Sequence, residues 1–247
     1  MNINENYAKL LKPYDEVLYY FSASEKDKIL IIAPHPDDEI LGCGGIIKKF
    51  LSSSIQVEIL LLTDGSGEIH RKTLSQVRKN EFNSALFDMG NISNVCLEFP
   101  DGELDKYFKQ LVDAMVEYFK KNQPRIIFVP YVLDYNIDHR ISNYALTEVF
   151  KKIKFINPYI AMYEIWTPII YPNHYINITK EFGAKYAALK YYETQEKYYR
   201  ILEKVQLLNK LRAKLSMRTK VEYMECFKGF SVYDYIDIVE YCKSNIF

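Results

Sequence analysis

Short apolar runs, each closed by a polar cluster, alternate along most of the chain with segments whose apolar residues recur at helical spacing. The first run, Lys28–Ala33, is rich in isoleucine and ends in Pro34-His35-Pro36-Asp37-Asp38-Glu39. Its brevity and the prolines at its end predict a buried strand. Asp38–Leu51 follows with helical periodicity. Val57–Leu62 is a second buried run, ending in Thr63-Asp64-Gly65-Ser66-Gly67, and Leu74–Phe87 is an amphipathic helix stopped by Gly90. Val95–Phe99 reads as a strand running into the turn Pro100-Asp101-Gly102. Leu104–Lys121 reads as a helix with Leu104, Phe108, Leu111, Met115 and Phe119 on its buried face. Arg125–Val129 is a strand, Tyr131–Asn136 a polar loop, Ile141–Phe150 a helix and Tyr159–Trp166 a strand.

Strands alternating with helices at this spacing predict an α/β protein: a Rossmann-like, mostly parallel sheet with helices on both faces. Residues 1–27 read as a helical lead-in, packing through Leu10, Leu11, Val17 and Leu18. From about residue 180 to 247 the pattern becomes a carboxyl-terminal helical extension, with one long tyrosine- and lysine-rich stretch from Ala184 to Leu215. That stretch could cover the sheet or form an interface in a homo-oligomer. With no repeat, low-complexity run or linker, residues 1–247 are expected to form a single domain.

Composition narrows the function without naming it. The chain has 247 residues, 49% hydrophobic and 26% charged, with 32 basic residues balancing 32 acidic ones. This balance gives no reason to expect nucleic acid. Cys43, Cys96, Cys226 and Cys242 form no C-x-x-C pair and read as reduced thiols. No stretch has the ~18 apolar residues of a membrane span, and the amino terminus lacks the apolar core of a signal peptide. A cytoplasmic location is the expectation.

The chemistry concentrates at two strand ends. His35 and His139 each follow the polar end of an apolar strand, and each has carboxylates beside it, Asp37 and Asp38 in one case and Asp138 in the other. In a parallel sheet those ends open on one edge, where ligands bind. Two imidazoles and a carboxylate make a three-ligand set suited to zinc, with a position left for water. A further carboxylate could take the water's proton. Residue types alone do not divide these roles between Asp37 and Asp38. His70 and His174 read as loop residues.

Ala33-Pro34-His35-Pro36-Asp37-Asp38-Glu39 resembles the signature of the PIG-L/LmbE family of zinc-dependent N-acetylglucosamine deacetylases. The likeness continues in order through Thr63-Asp64-Gly65, Arg78-Lys79-Asn80-Glu81, Pro100-Asp101-Gly102, Asp138-His139-Arg140, Tyr163–Pro168 and Tyr192-Glu193-Thr194-Gln195, the last two similar to blocks of the bacterial branch. The resemblance implies that His35, Asp38 and His139 ligate Zn2+ and that Asp37 is the general base. It further implies that Arg78 and Asp101 contact substrate; without it, Arg78 would pair with Glu81 along a helix face and Asp101 would be a turn residue. Many members carry a histidine where Asn136 stands. An asparagine amide can donate a hydrogen bond to an oxyanion but cannot act as an acid. The implied activity is that of a metal-dependent N-deacetylase, a hydrolase of linear amides acting on a small N-acetylated sugar or sugar conjugate. The alternatives are an amidase for another acyl amide and a sugar-binding relative without chemistry. Tyr131, Tyr135, Tyr163 and Trp166 are the aromatic residues that would suit stacking on a sugar.

Overall fold

Residue by residue along the first strand, β1 (Lys28–Ala33), side chains alternate between two separate cores. Leu30 and Ile32 enter one, while Ile29, Ile31 and Ala33 enter the other. The second strand, β2 (Gln56–Thr63), divides in the same way, with Leu60 and Leu62 on one side and Val57, Ile59 and Leu61 on the other. A strand apolar on both faces must be covered on both faces, and helices of the computed structural model do so. The structure describes residues 18, 20–67, 72–153, 157–216 and 218–246, so most of the predicted lead-in lies outside the described residues.

Among the described residues the sheet has seven strands in the order β3-β2-β1-β4-β5-β7-β6. The further strands are β3 (Ser93–Phe99), β4 (Ile126–Pro130), β5 (Tyr159–Tyr163), β6 (His174–Asn177) and β7 (Met224–Phe230). Strands β1 to β5 run parallel, and β7 is antiparallel to both its neighbours. The helices are α1 (Asp38–Ser52), α2 (Lys72–Gly90), α3 (Phe108–Lys121), α4 (Ile137–Lys152), α5 (Phe182–Leu189), α6 (Glu193–Tyr199), α7 (Ile201–Leu215) and α8 (Val232–Asn245). Chain order runs outward from β1 to β3 on one side, then returns to β4 on the other. The carboxyl ends of β1 and β4 therefore flank the switch point of an open parallel sheet, the place where such folds bind ligands.

Local departures from the predicted elements have identifiable causes. The helix expected from Leu104 begins at Phe108, because the turn after Gly102 (φ 81) spends its amides on Asp138: Gly102 N donates to Oδ2 and Leu104 N to Oδ1. The helix expected from Ile141 begins at Ile137, because Asn136 caps it by accepting from the amides of Asp138 and His139. Strand β5 stops at Tyr163 rather than Trp166, whose amide goes to Asp134. The long stretch from Ala184 divides into three helices, with Arg200 at φ 52 between the last two. The carboxyl-terminal segment is largely helical, and it also returns β7 to the sheet. Glu225 and Lys228 interrupt the apolar pattern of β7, although both are buried. Glu225 pairs with Lys185 at 2.7 Å and accepts the amides of Gly45 and Ile46, and Lys228 donates to the Tyr171 carbonyl. Helix α7 covers the domain with Ile201, Val205 and Ala213 and leaves Leu207, Leu211 and Leu215 exposed.

Glycine in α1 is a packing requirement. A Cβ on Gly42 would stand 2.1 Å from Tyr163 Cδ2, and the Tyr163 hydroxyl is fixed by donating to the Ile32 carbonyl. Gly42→Ala is expected to destabilise the fold by about 1–3 kcal/mol through overpacking, read as a lower urea midpoint at unchanged m-value.

Candidate metal centre

Three donor atoms from the two switch-point loops face one another. His35 Nδ1 lies 3.1 Å from Asp38 Oδ2, while His139 Nε2 lies 3.3 Å from both. All three residues are buried. Bonds of ~2.0–2.1 Å at tetrahedral angles place ligand atoms about 3.3 Å apart, so the triangle has the edges that zinc coordination requires. His35 and Asp38 come from the β1–α1 turn, and His139 from the first turn of α4. Parallel pairing of β1 with β4 brings the two loops together.

The outer nitrogen of each imidazole meets a carboxylate. His35 Nε2 stands 3.2 Å from Asp138 Oδ2 and 3.3 Å from Asp101 Oδ1, and His139 Nδ1 stands 3.3 Å from Asp134 Oδ1. The His35–Asp138 contact is a hydrogen bond, whereas Asp134 faces His139 Nδ1 at ion-pair distance outside hydrogen-bond geometry. A carboxylate at the outer nitrogen favours the tautomer that turns a lone pair toward a cation. The electrostatics agree. Burial alone would depress the imidazoles, yet the surrounding carboxylates hold His35 well above its ordinary value and His139 at about 9. Burial opposes ionisation of Asp101, but His35 and Arg78 hold it down at about 2. The cluster is built to receive positive charge.

Asp37 stands at the start of α1 in a backbone conformation that side chains rarely adopt, φ 126 and ψ −27. Burial drives its carboxyl well above the ordinary range, Arg78 opposes this, and Asp38 and Glu39 add to it. Its amide donates to Glu39 Oε2 at 3.2 Å, and Glu39 Oε1 accepts from the Tyr192 hydroxyl. Burial also pushes Glu39 up to about 7.

Arg78 is buried and joins three loops. It donates to the carbonyls of Pro36 (2.7 Å) and Gly65 (3.4 Å) and to Asp101 Oδ2 (3.2 Å), and approaches Asp37 Oδ1 at 3.5 Å. Its described partners do not include Glu81, which accepts instead from the amide and hydroxyl of Thr194 at the start of α6. Asp101 bridges Arg78, His35 and the Gly67 amide. The carbonyl oxygen of Asn136 is taken by capping, which leaves its amide nitrogen as the donor it could offer a ligand.

Asp134 belongs to none of the sequence motifs. It is fully buried, and one oxygen faces His139 while the other accepts the amides of Trp166 and Thr167. Its only sequence signal is a lone aspartate in the loop after β4. Of the aromatic residues expected to stack on sugar, Tyr131 and Tyr163 are buried in the cores, whereas Tyr135 is 68% exposed and Trp166 partly so. His174 is not a loop residue. It opens β6, stacked on Phe21 at 4.2 Å and 2.9 Å from the Tyr159 hydroxyl, and burial holds it at about 4. His70 lies outside the described residues. The four cysteines are free thiols.

Residues 30–150, which carry every donor above, match the PIG-L family, described as GlcNAc-PI de-N-acetylase. The chain carries a PIG-L family domain. A diacetylchitobiose deacetylase of Thermococcus kodakarensis is 35% identical over 138 residues, 52% of this chain and 49% of that protein, so the match spans about half of that relative's length. Among solved structures, the PIG-L domain and its flanking elements superpose on an N,N'-diacetylchitobiose deacetylase from Pyrococcus horikoshii with TM-score 0.70, 23% identity and 85% of each chain covered. They also superpose on a 4-carboxy-2-hydroxymuconate hydratase from Pseudomonas putida with TM-score 0.69 and 18% identity, covering 82% of this chain and 95% of the other. The fold is thus shared by proteins of different named activities, and the PIG-L donor set must carry the functional argument.

Proposed function

We propose that this protein is a zinc-dependent N-deacetylase that hydrolyses the acetamide of an N-acetylglucosamine-type sugar or sugar conjugate, giving acetate and a free amine. The observation that carries this reading is the donor triangle of His35, Asp38 and His139 with Asp37 beside it, in a PIG-L domain. His35, Asp38 and His139 would hold the ion. Bound there, zinc supplies Lewis-acid polarisation of the acetamide carbonyl and a lowered pKa for water.

The chain's own groups do the rest. Asp37 accepts a proton from the attacking water and returns it to the departing nitrogen, so the carboxylate is regenerated as the C–N bond breaks. The Asn136 amide nitrogen supplies a hydrogen bond to the oxygen that gains charge. Asp138 and Asp134 orient the two imidazoles. Arg78 and Asp101 hold the loops around the acetamide, and their remaining polar atoms contact the sugar. Burial of the donors excludes bulk water from the acidic cluster. Among the described residues no helix is long and apolar enough to cross a membrane. The free thiols support a cytoplasmic location.

The test is acetate release from a panel of N-acetylated sugars and simple acyl amides, with zinc-loaded and chelator-treated protein. Acetate from the sugars only, lost on chelation and restored by zinc, is the expected result. Release from simple amides alone would assign an amidase, and release from neither would overturn the reading. Asp134→Ala is expected to weaken zinc affinity by ~10–100-fold, measured by competition with a chromogenic chelator.

A further inference from the structure

One block of the sequence, Tyr192-Glu193-Thr194-Gln195, lies outside residues 30–150 and supplies no metal donor. It opens α6 and reaches back to the β1–α1 turn and to α2. The Tyr192 ring is fully buried in the same apolar core as Ile40, Leu41 and Phe82, and its hydroxyl donates to Glu39 Oε1. The other oxygen of that carboxylate, Oε2, accepts the Asp37 amide at 3.2 Å. Thr194 donates its amide (2.9 Å) and its hydroxyl (2.6 Å) to the two oxygens of Glu81, which stands on α2 a turn beyond Arg78. Asp37 needs such bracing, because at φ 126 a side chain persists only where the surroundings impose the conformation. The peptide that joins Pro36 to Asp37 is gripped at both ends: Arg78 donates to its carbonyl at 2.7 Å, and Glu39 accepts from its amide. The plane of that peptide sets φ of Asp37, and φ sets where the carboxylate points.

We propose that Tyr192 is a positioning residue for Asp37 that acts through Glu39: its hydroxyl fixes the carboxylate that holds the Pro36–Asp37 peptide, and that peptide aims the base. Glu39 is fully buried beside the carboxylates of Asp37 and Asp38, a placement that costs free energy unless its oxygens are paired. Tyr192 pairs one oxygen and leaves the other to the Asp37 amide. The bonds from Thr194 to Glu81 fasten the same block to the helix that carries Arg78, so a single segment braces both grips on the peptide. A phenol hydroxyl on a ring packed in the core is a stiffer anchor than a surface side chain, because the ring cannot turn without disturbing its neighbours.

The role given to Asp37 rests on the deacetylase reading, and the test separates the two. Tyr192→Phe removes the hydroxyl and keeps the ring in the core. With zinc-loaded protein and N,N'-diacetylchitobiose as the probe, kcat is expected to fall about ten- to a hundredfold, while KM and zinc content stay within about twofold of wild type. In a Glu39→Met background, which keeps the volume and removes the acceptor, Tyr192→Phe is expected to lower kcat no further, because the path is already cut. Tyr118→Phe removes the hydroxyl of a second tyrosine–glutamate pair, with Glu58, and is expected to leave kcat at the wild-type level. Hydrogen exchange needs no substrate. At the Asp37 amide it should quicken about tenfold or more in Tyr192→Phe and stay unchanged in Tyr118→Phe, read by site-resolved mass spectrometry. Unchanged exchange, wild-type kcat, a loss carried by KM or by zinc, or an equal further loss in the Glu39→Met background each overturns the positioning role and leaves the deacetylase reading standing. If no N-acetylated sugar of the panel yields acetate, exchange alone decides. Faster exchange keeps Tyr192 as the residue that holds the Pro36–Asp37 peptide while the deacetylase reading falls, and unchanged exchange overturns both.

Discussion

Asp37→Asn protein is expected to purify with the zinc content of the wild type and to hydrolyse N-acetylated sugar about 10²–10⁴-fold more slowly. The other carboxylates of the cluster are engaged. Asp38 Oδ2 is a corner of the donor triangle and also accepts the His35 amide at 2.8 Å. Asp101 and Asp138 face the outer nitrogen of His35, Asp134 faces that of His139, and Glu39 accepts from Tyr192 and the Asp37 amide. Among the described residues the Asp37 carboxylate is held at 3.5 Å, by Arg78, and can take and release a proton without dismantling the site. Its backbone, at φ 126, stores strain of about 1–3 kcal/mol that a glycine would relieve. Asp37→Gly is therefore expected to be at least as stable in urea as the wild type and as inactive as Asp37→Asn. Lower stability together with retained turnover would make Asp37 a structural residue and end its assignment as the base.

What is legible in the amino-acid sequence depends on which forces act locally. Strand β1 was legible to the residue, because an apolar run that stops at a proline has one reading. The pairing of His35 with His139 was legible too, because a parallel sheet brings the ends of its strands to one edge. Asp134 was not. Nothing in a loop's composition says that its carboxylate will face an imidazole five residues on while receiving two amides from the next strand's loop. Strand β7 was hidden by Glu225 and Lys228. Polar residues within a strand signal a solvent face by pattern, whereas here partners far along the chain (Lys185, the α1 amides and the Tyr171 carbonyl) make their burial tolerable. The stacking candidates failed in the same way. Tyr131 and Tyr163 are as aromatic as Tyr135, and only tertiary packing separates core from rim.

His139→Ala is expected to purify with almost no zinc, less than about a tenth of the wild-type content by mass spectrometry, and with no measurable deacetylation. With His139 gone, two donors remain, and coordination by three protein groups is what catalytic zinc requires. The variant should also lose about 1–3 kcal/mol of stability, because Asp134 and Asp38 are left as buried carboxylates without the imidazole they face. A histidine whose role was packing would show the stability loss without the loss of metal, and the chain contains such a control. His174 is nearly as buried, but its nitrogens face the Tyr159 hydroxyl and the Tyr20 carbonyl rather than carboxylates, and its ring stacks on Phe21. His174→Ala should destabilise the fold while zinc content and turnover of the folded fraction stay at wild-type level. Equal zinc in the two variants would mean that burial, not the carboxylate-oriented donor triangle, had been mistaken for a metal site.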